Sequence, residues 1–306
     1  MVAIFTTYNA SGAGHLDRDV SDFVVNVAPR EAPFFNLIGT NKGSARVKEN
    51  VTDDLATAVS TNAAVEGADL VDKTISTRPV EKNYMQIFTN TINISGTQEE
   101  VVKFGNVTSE IAYQIQKAYK ELARDVESSL INGVSATGTT AVARTMSGLV
   151  EKITTNTATA STSSATWTGT ASADLAAYET LFNDLLNLGW TNGTSFDTVF
   201  VGGTQKRRIS KLTTNVTRNV AASEKTQILS INSYDSDFGV VDIILDRYVG
   251  ATLILAVALD MWEVSYLRGF KQTPLAKTGD ASRFSVIGEL TLDGKTEKGA
   301  GKITAS

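Results

Sequence analysis

Apolar positions along the chain follow first a helical period, then an alternating one, then a helical one again. Leu16, Val20, Phe23, Val24 and Val27 recur at helical spacing, and Pro29 closes the run. Asp17 and Asp19 fall in its first turn, where the helix dipole favours anions. A second short helix is predicted over residues 33–38, with Pro33 at its start and Gly39 just past its end. Neither piece can make a core alone. From Ser44 the period drops to two, and residues 45–51 and 83–95 read as strands rich in β-branched and aromatic side chains. The second is roughly twice the usual strand length. Between them residues 52–80 are polar and patternless, so the pair describes a protruding hairpin, a feature that needs a partner.

Thr97 and Glu100 make a capping-box pattern, in which the threonine oxygen takes the Glu100 amide, and the short helix so opened should stop at Gly105. Asn106 is then expected to cap the strongest element, a helix over 107–131. Ile111, Ile115, Ala118, Tyr119, Leu122, Val126 and Leu130 form one stripe along it, with Lys117 and Glu121 paired on the polar side. Its roughly 25 residues would span about 37 Å, enough to act as the spine of a domain. Residues 154–172 are nearly all Thr, Ser and Ala, interrupted by Asn156, Trp167 and Gly169, and read as a linker or surface loop. Beyond them Asp174 should cap a helix with Leu175, Tyr178, Phe182, Leu185 and Leu188 inward, ended by Gly189. A buried strand over 198–201, the pair Gly202-Gly203 and a basic helix over 205–212 follow. Residues 240–245 and 252–258 read as buried strands, and Trp262, Val264 and Tyr266 alternate with Glu263 and Ser265. Residues 283–292 are expected to make the last strand. The class is α+β, and no internal repeat is present.

Composition narrows the function. At 306 residues and 42% hydrophobic, the chain has a core and is not wholesale disordered. It has no cysteine, and His15 is its one histidine. That excludes disulfide scaffolds, thiolate catalysis, iron–sulfur clusters and the usual structural zinc sites. With 28 Lys+Arg against 33 Asp+Glu, the net charge of −5 gives no overall basic surface for sequence-independent nucleic-acid binding. The most apolar run, 249–259, stops at Asp260 and is too short to span a bilayer. The N-terminus lacks the basic flank and apolar stretch of a secretory signal, so a soluble protein made in the cytoplasm is expected.

Single motifs are weak. His15 has no nucleophile in a recognisable setting and reads as an exposed residue. Gly202-Gly203 has the position of a phosphate cradle without its spacing, so Lys206, Arg207 and Arg208 read as a contact patch. Asp235 and Asp237 suggest a turn rather than a calcium loop. Glu99-Glu100 and Asp53-Asp54 need only capping and solvation. No catalytic residue, cofactor or metal site is expected.

An ordered set of segments carries a resemblance. The segments are 19–24 and 29–35 of the arm, 66–69 in the excursion, 95–98, the spine helix, 236–239, 266–268 and 275–281. Together, over residues 17–286, they resemble the major capsid proteins of tailed bacteriophages in the SU-ten-like group. That resemblance implies the α+β Hong Kong 97 capsid fold. Its map would be an N-terminal arm (1–43), an E-loop (44–94), a P domain with the spine and the Thr/Ser-rich loop (95–173), and an A domain (174–265). A return to the P domain and the C-terminus would occupy 266–306. The implied function is that of a head protein, self-assembling through pentamer and hexamer contacts into an icosahedral shell around double-stranded DNA. The implied partners are copies of itself, with portal, scaffold or decoration proteins as further candidates, DNA held by enclosure, and no membrane. The implied location is the virion, after assembly in the host cytoplasm. Phe34, Phe35, Arg46, Lys48, Glu66, Lys206, Arg207 and Arg208 are the expected interface residues. Lys73 and Lys82 lie in the E-loop, but no Asn or acid matches them for a covalent crosslink, and none is expected. The competing readings are an adhesin or glycan-binding module and, more weakly, a carboxylate glycosidase, for which no paired acids can be named.

Overall fold

The computed structural model describes residues 32–305, apart from 54, 68, 70–74, 76, 102–108, 162–164, 170, 213–231 and 278. The expected arm helix, His15 and the Asn106 cap lie outside the described residues. The chain enters through helix α1 (Pro33–Leu37), with proline in its first turn as expected, and a short strand β1 (Gly39–Lys42). The hairpin strands are β2 (Val47–Val51) and β3 (Val80–Tyr84), followed by β4 (Gln86–Ser95). The long strand expected over 83–95 is therefore two. Tyr84 pairs with Val47 whereas Gln86 pairs with Leu290, and fully buried Met85 marks the change of partner.

Helix α2 (Gly96–Glu100) is capped by Ser95, whose Oγ accepts the Gln98 amide at 3.3 Å. The expected Thr97 cap is displaced, and Glu99 serves the next helix instead. Its carboxylate accepts the amides of Glu110 (2.9 Å) and Ile111 (3.3 Å) at the start of the spine, α3 (Glu110–Asn132). Ser109 completes that cap by accepting the Ala112 amide. The spine is 23 residues long, so about 34 Å. Ala118, Leu122, Val126 and Leu130 of the predicted stripe are buried, Tyr119 is exposed, and Lys117 meets Glu121 at 3.7 Å.

A one-turn helix α4 (Leu149–Lys152) leads into the Thr/Ser-rich stretch, which is more ordered than its composition suggested. It contains strand β5 (Thr157–Ala160) and helix α5 (Ala165–Thr168), with Ala160 and Trp167 buried. Helix α6 (Ser172–Thr191) runs straight through the expected stop at Gly189. A Cβ there would sit 2.5 Å from the Phe196 ring, so this glycine permits a close approach; Gly193, at φ +84°, turns the chain instead. Then come β6 (Thr198–Val201), α7 (Gly203–Leu212), β7 (Ser233–Ser236), β8 (Gly239–Leu245) and β9 (Leu253–Val257). Two long strands, β10 (Trp262–Pro274) and β11 (Ala281–Gly294), are followed by β12 (Ala300–Ala305), beyond the strand expected to be last.

The spine packs on a four-stranded sheet ordered β1-β10-β11-β4, and the hairpin pair β2-β3 forms a ladder of its own that rests against β11. A six-stranded sheet, β5-β12-β9-β6-β8-β7, forms the other layer. Pairing thus cuts across the expected segment map. Residues 39–42 and 86–95 join the first sheet, and 157–160 and 300–305 join the second. Alternation along the central strands explains how the layers meet. Phe200, Leu253, Leu255 and Val257 face the core shared with the spine, while Val199, Val201, Ile254 and Ala256 face α6 and α7. Strand β9 is consequently buried on both faces.

Gly189→Ala tests the close approach. Alanine favours helix by about 1 kcal/mol, but overpacking against Phe196 costs about 1–3 kcal/mol. The expected outcome is net destabilisation in thermal unfolding of the unassembled chain, and a stabilised variant would contradict the contact.

Candidate assembly surfaces

The hairpin is where the chain presents itself to solvent. From Asp53 to Val80 every described residue is exposed, including Leu55 (100%), Val65 (78%) and Ile75 (91%). Burying each such side chain is worth roughly 2 kcal/mol, so the excursion carries apolar surface that its own chain does not cover. Its neck is closed by an exposed Arg78–Asp53 ion pair and the Thr52 amide on the Pro79 carbonyl. Glu49 and Lys82, opposite each other in the ladder, pair at 3.2 Å.

Its base is bolted to the body by polar side chains that no short-range pattern announces. Asn83 is buried and uses its whole amide. Nδ2 donates to the Ser147 (3.0 Å) and Leu292 (2.7 Å) carbonyls, and Oδ1 accepts the Ser147 (2.8 Å) and Tyr84 (2.9 Å) amides. Asp293, also buried, accepts from Asn41 on β1 (2.8 Å) and Asn50 on β2, and pairs with Lys48 at 3.1 Å. Two neighbouring strands, β1 and β2, therefore converge on one carboxylate that stands 243–252 residues further along the chain. A further buried acid, Glu289, holds Arg144 and Arg268.

The structure redistributes the expected interface residues. Phe34 is fully buried in its own chain, edge-on to Phe200 at 5.3 Å, so it is a core residue and not an interfacial one. Lys48 is committed to Asp293 of its own chain. Lys206 is buried and donates to the Ile243 carbonyl at 2.8 Å; burial lowers its pKa. Arg208 is likewise buried, with its guanidinium 4.7 Å from the centre of the Tyr178 ring. Burial lowers its pKa too, against the pull of Tyr178 and Asp174. The basic patch read from three consecutive cations thus reduces on the surface to Arg207, because Lys206 is buried toward β8 and Arg208 is buried against Tyr178 of α6. Phe35 is half-buried, while Arg46 and Glu66 are exposed. Arg46 edges a cleft of about 450 Å³ with Ile87 and the 137–144 loop, and Glu66 sits in the hairpin's outer turn.

Among the described residues no group of His, Cys, Asp and Glu side chains is placed to hold a metal ion, and no helix is long and apolar enough to cross a membrane. Asp235 lies at the end of β7 and Asp237 in the tight turn before β8, as the turn reading expected. Gly202 and Gly203 join β6 to α7, whose outer side carries Arg207 and Lys211 along a cleft of about 460 Å³ walled by Trp167 and Leu175.

Asn83→Ala would strand buried partners of a four-bond clamp and is expected to lower stability by roughly 3 kcal/mol in denaturant unfolding. Glu66→Ala, at the exposed turn, should change stability by less than about 0.5 kcal/mol. Equal effects from the two variants would refute the clamp.

Comparison with known proteins places this geometry. The SU10 major capsid protein family model matches residues 2–306. Over 134 residues, 44% of this chain, the sequence is 26% identical to the major capsid protein of Escherichia phage Phieco32, and the match spans 37% of that relative. Among solved structures, the capsid of a native GTA particle aligns with TM-score 0.69 at 11% identity, covering 99% of this chain and 100% of that one. The structure from Mycobacterium phage Bobi aligns at 0.64 with 9% identity, covering 99% of each chain. The holo-SrpI encapsulin complex from Synechococcus elongatus aligns at 0.62 with 10% identity, covering 99% of this chain and 96% of that one. At such identities the likeness shows the fold alone, the Hong Kong 97 fold shared by phage capsids and encapsulins. With the family model matching every residue after the first, the chain belongs to the SU10 major capsid protein family, a family of structural shell proteins rather than enzymes.

Proposed function

We propose that copies of this chain assemble through pentamer and hexamer contacts into an icosahedral shell that encloses double-stranded phage DNA. The observation that carries this is the hairpin: a protrusion anchored firmly at its base, with water-facing Leu55, Val65 and Ile75 along its length. In a shell each hairpin lies over a neighbouring subunit, and its apolar side chains leave water there. Many such modest contacts repeat around a closed lattice, so stability comes from multivalency rather than from one tight interface. The spine with the four-stranded sheet corresponds in this reading to the peripheral P domain, and the six-stranded sheet with α6 and α7 to the axial A domain. Arg46, Glu66, Arg207 and the open side of Phe35 are the surface residues left for contacts between subunits. The net charge of −5 suits a container that holds DNA without adhering to it. Portal, scaffold and decoration proteins, and assembly in a host cytoplasm, belong to the same proposal. Neither the family nor the solved structures above favour the adhesin or glycosidase reading.

The test is size-exclusion chromatography and negative-stain microscopy of the expressed chain. Wild type is expected to give capsomers or shells. The triple variant L55D/V65D/I75D should unfold at nearly the wild-type temperature, since those side chains are exposed in the subunit, yet fail to close shells. A wild-type chain that stays monomeric at high concentration, or shells formed equally well by the triple variant, would overturn the proposal.

A further inference from the structure

Two acids are buried against each other where the spine, the entering chain and the six-stranded sheet meet. Glu127 projects from α3 and is fully buried. Its two oxygens accept the backbone amides of Phe34 and Phe35, each at 2.8 Å, and so hold α1 on the spine. Facing it is Asp246, 2% exposed, in the turn that follows β8. Asp246 Oδ1 accepts the Tyr248 amide at 2.8 Å, while Oδ2 is buried with no other donor. A proton held between that oxygen and Glu127 would give it a partner.

No cation neutralises the pair among the described residues. Arg124, three residues before Glu127 on the spine, is turned to the Tyr248 hydroxyl at 3.2 Å. Asp125 and Arg247 are exposed, and α1 carries no titratable side chain. Two carboxylates in this apolar setting cannot both ionise without repulsion and loss of solvation. Burial first, then Asp246, pushes Glu127 up to about 8 against the pull of the two amides, and burial raises Asp246 as well.

We propose that this junction is a proton-operated latch on α1: the singly protonated pair keeps α1 docked on the spine, and loss of the shared proton releases it. The device would tie the docking of α1 to pH without involving the hairpin. It does not rest on shell formation, because the junction is complete within one subunit.

The sign follows from linkage. A carboxyl whose pKa is raised by docking binds its proton more tightly in the docked state. Docking is therefore strongest below the ordinary carboxylate range, weakens as pH rises from about 4.5, and reaches its floor near pH 8. Hydrogen–deuterium exchange on the unassembled full-length chain between pH 5 and 9, corrected for intrinsic rates, reads this directly. Protection over residues 32–38 should fall by up to about tenfold per pH unit to near pH 8 and then level off. Protection in β9 should stay constant. In Asp246→Asn the amide can donate to an ionised Glu127, so the fall should shrink to less than about threefold over the whole range. A flat wild-type profile, a fall shared by β9, or an unchanged fall in Asp246→Asn would overturn the latch. Should that variant not fold, the wild-type profile and its β9 control decide alone.

Discussion

Everything in this subunit is built around one wall, the six-stranded sheet, whose central strands are apolar on both faces. A strand buried on both faces has no solvent side, so β9 reads as an unbroken apolar run and must be covered by two layers at once. The spine with the four-stranded sheet supplies one cover, and α6 with α7 the other. Because Phe200 and Leu255 belong to one core while Val199 and Ile254 belong to the next, a shift by one residue would exchange both sets. The body is therefore rigid by register as well as by packing. A rigid body is what allows a long hairpin to be held out from it.

Polar side chains do the holding. Asn83, Asp293, Glu289 and Glu127 are all buried, and each joins segments that are remote in sequence. Buried polar groups of this kind are costly unless fully partnered, and their worth lies in specifying one arrangement. Asn83 illustrates it: all four of its amide's bonds here go to backbone groups at the hairpin base, so the strand below Tyr84 cannot slip without losing them together. The next rungs outward, Asn50 and Glu81, still bond the body at Asp293, Gly294 and Glu297, whereas every described residue from Asp53 to Val80 is exposed, which divides the excursion into an anchored base and an exposed outer part.

What could be read from the residues alone follows the same division. The spine stripe, the buried strands near 200 and 255, and the patternless excursion were legible because periodicity and local composition encode them directly. The caps were misread by two residues at Thr97 and by three at the spine entrance, since Ser, Thr and Asn compete for the same role and only backbone geometry chooses among them. Gly189 was misread because its reason is a contact with Phe196 rather than a helix end. The interface residues fared worst. Lys206, Arg207 and Arg208 are a basic cluster in sequence, but α7 is packed on two sides, so β8 covers Lys206, α6 covers Arg208 and Arg207 alone is left out. Asn83 and Asp293 gave no signal at all, for their partners stand 209 and 243–252 residues away.

The position of β12 has a consequence for the order of folding. This strand lies between β5 and β9, pairing with residues 157–160 on one side and 253–257 on the other. The sheet therefore cannot be finished until residues 300–305 have been synthesised, and β5 has no ladder partner before then. Contacts of such sequence separation form late, after shorter loops have closed. A nascent or truncated chain is left with an open edge at β9 and an uncovered patch around Ala160 and Ile303's place in the second core. Completion of the subunit is in this way a matter of timing: the wall on which both cores rest closes only when residues 300–305 are present.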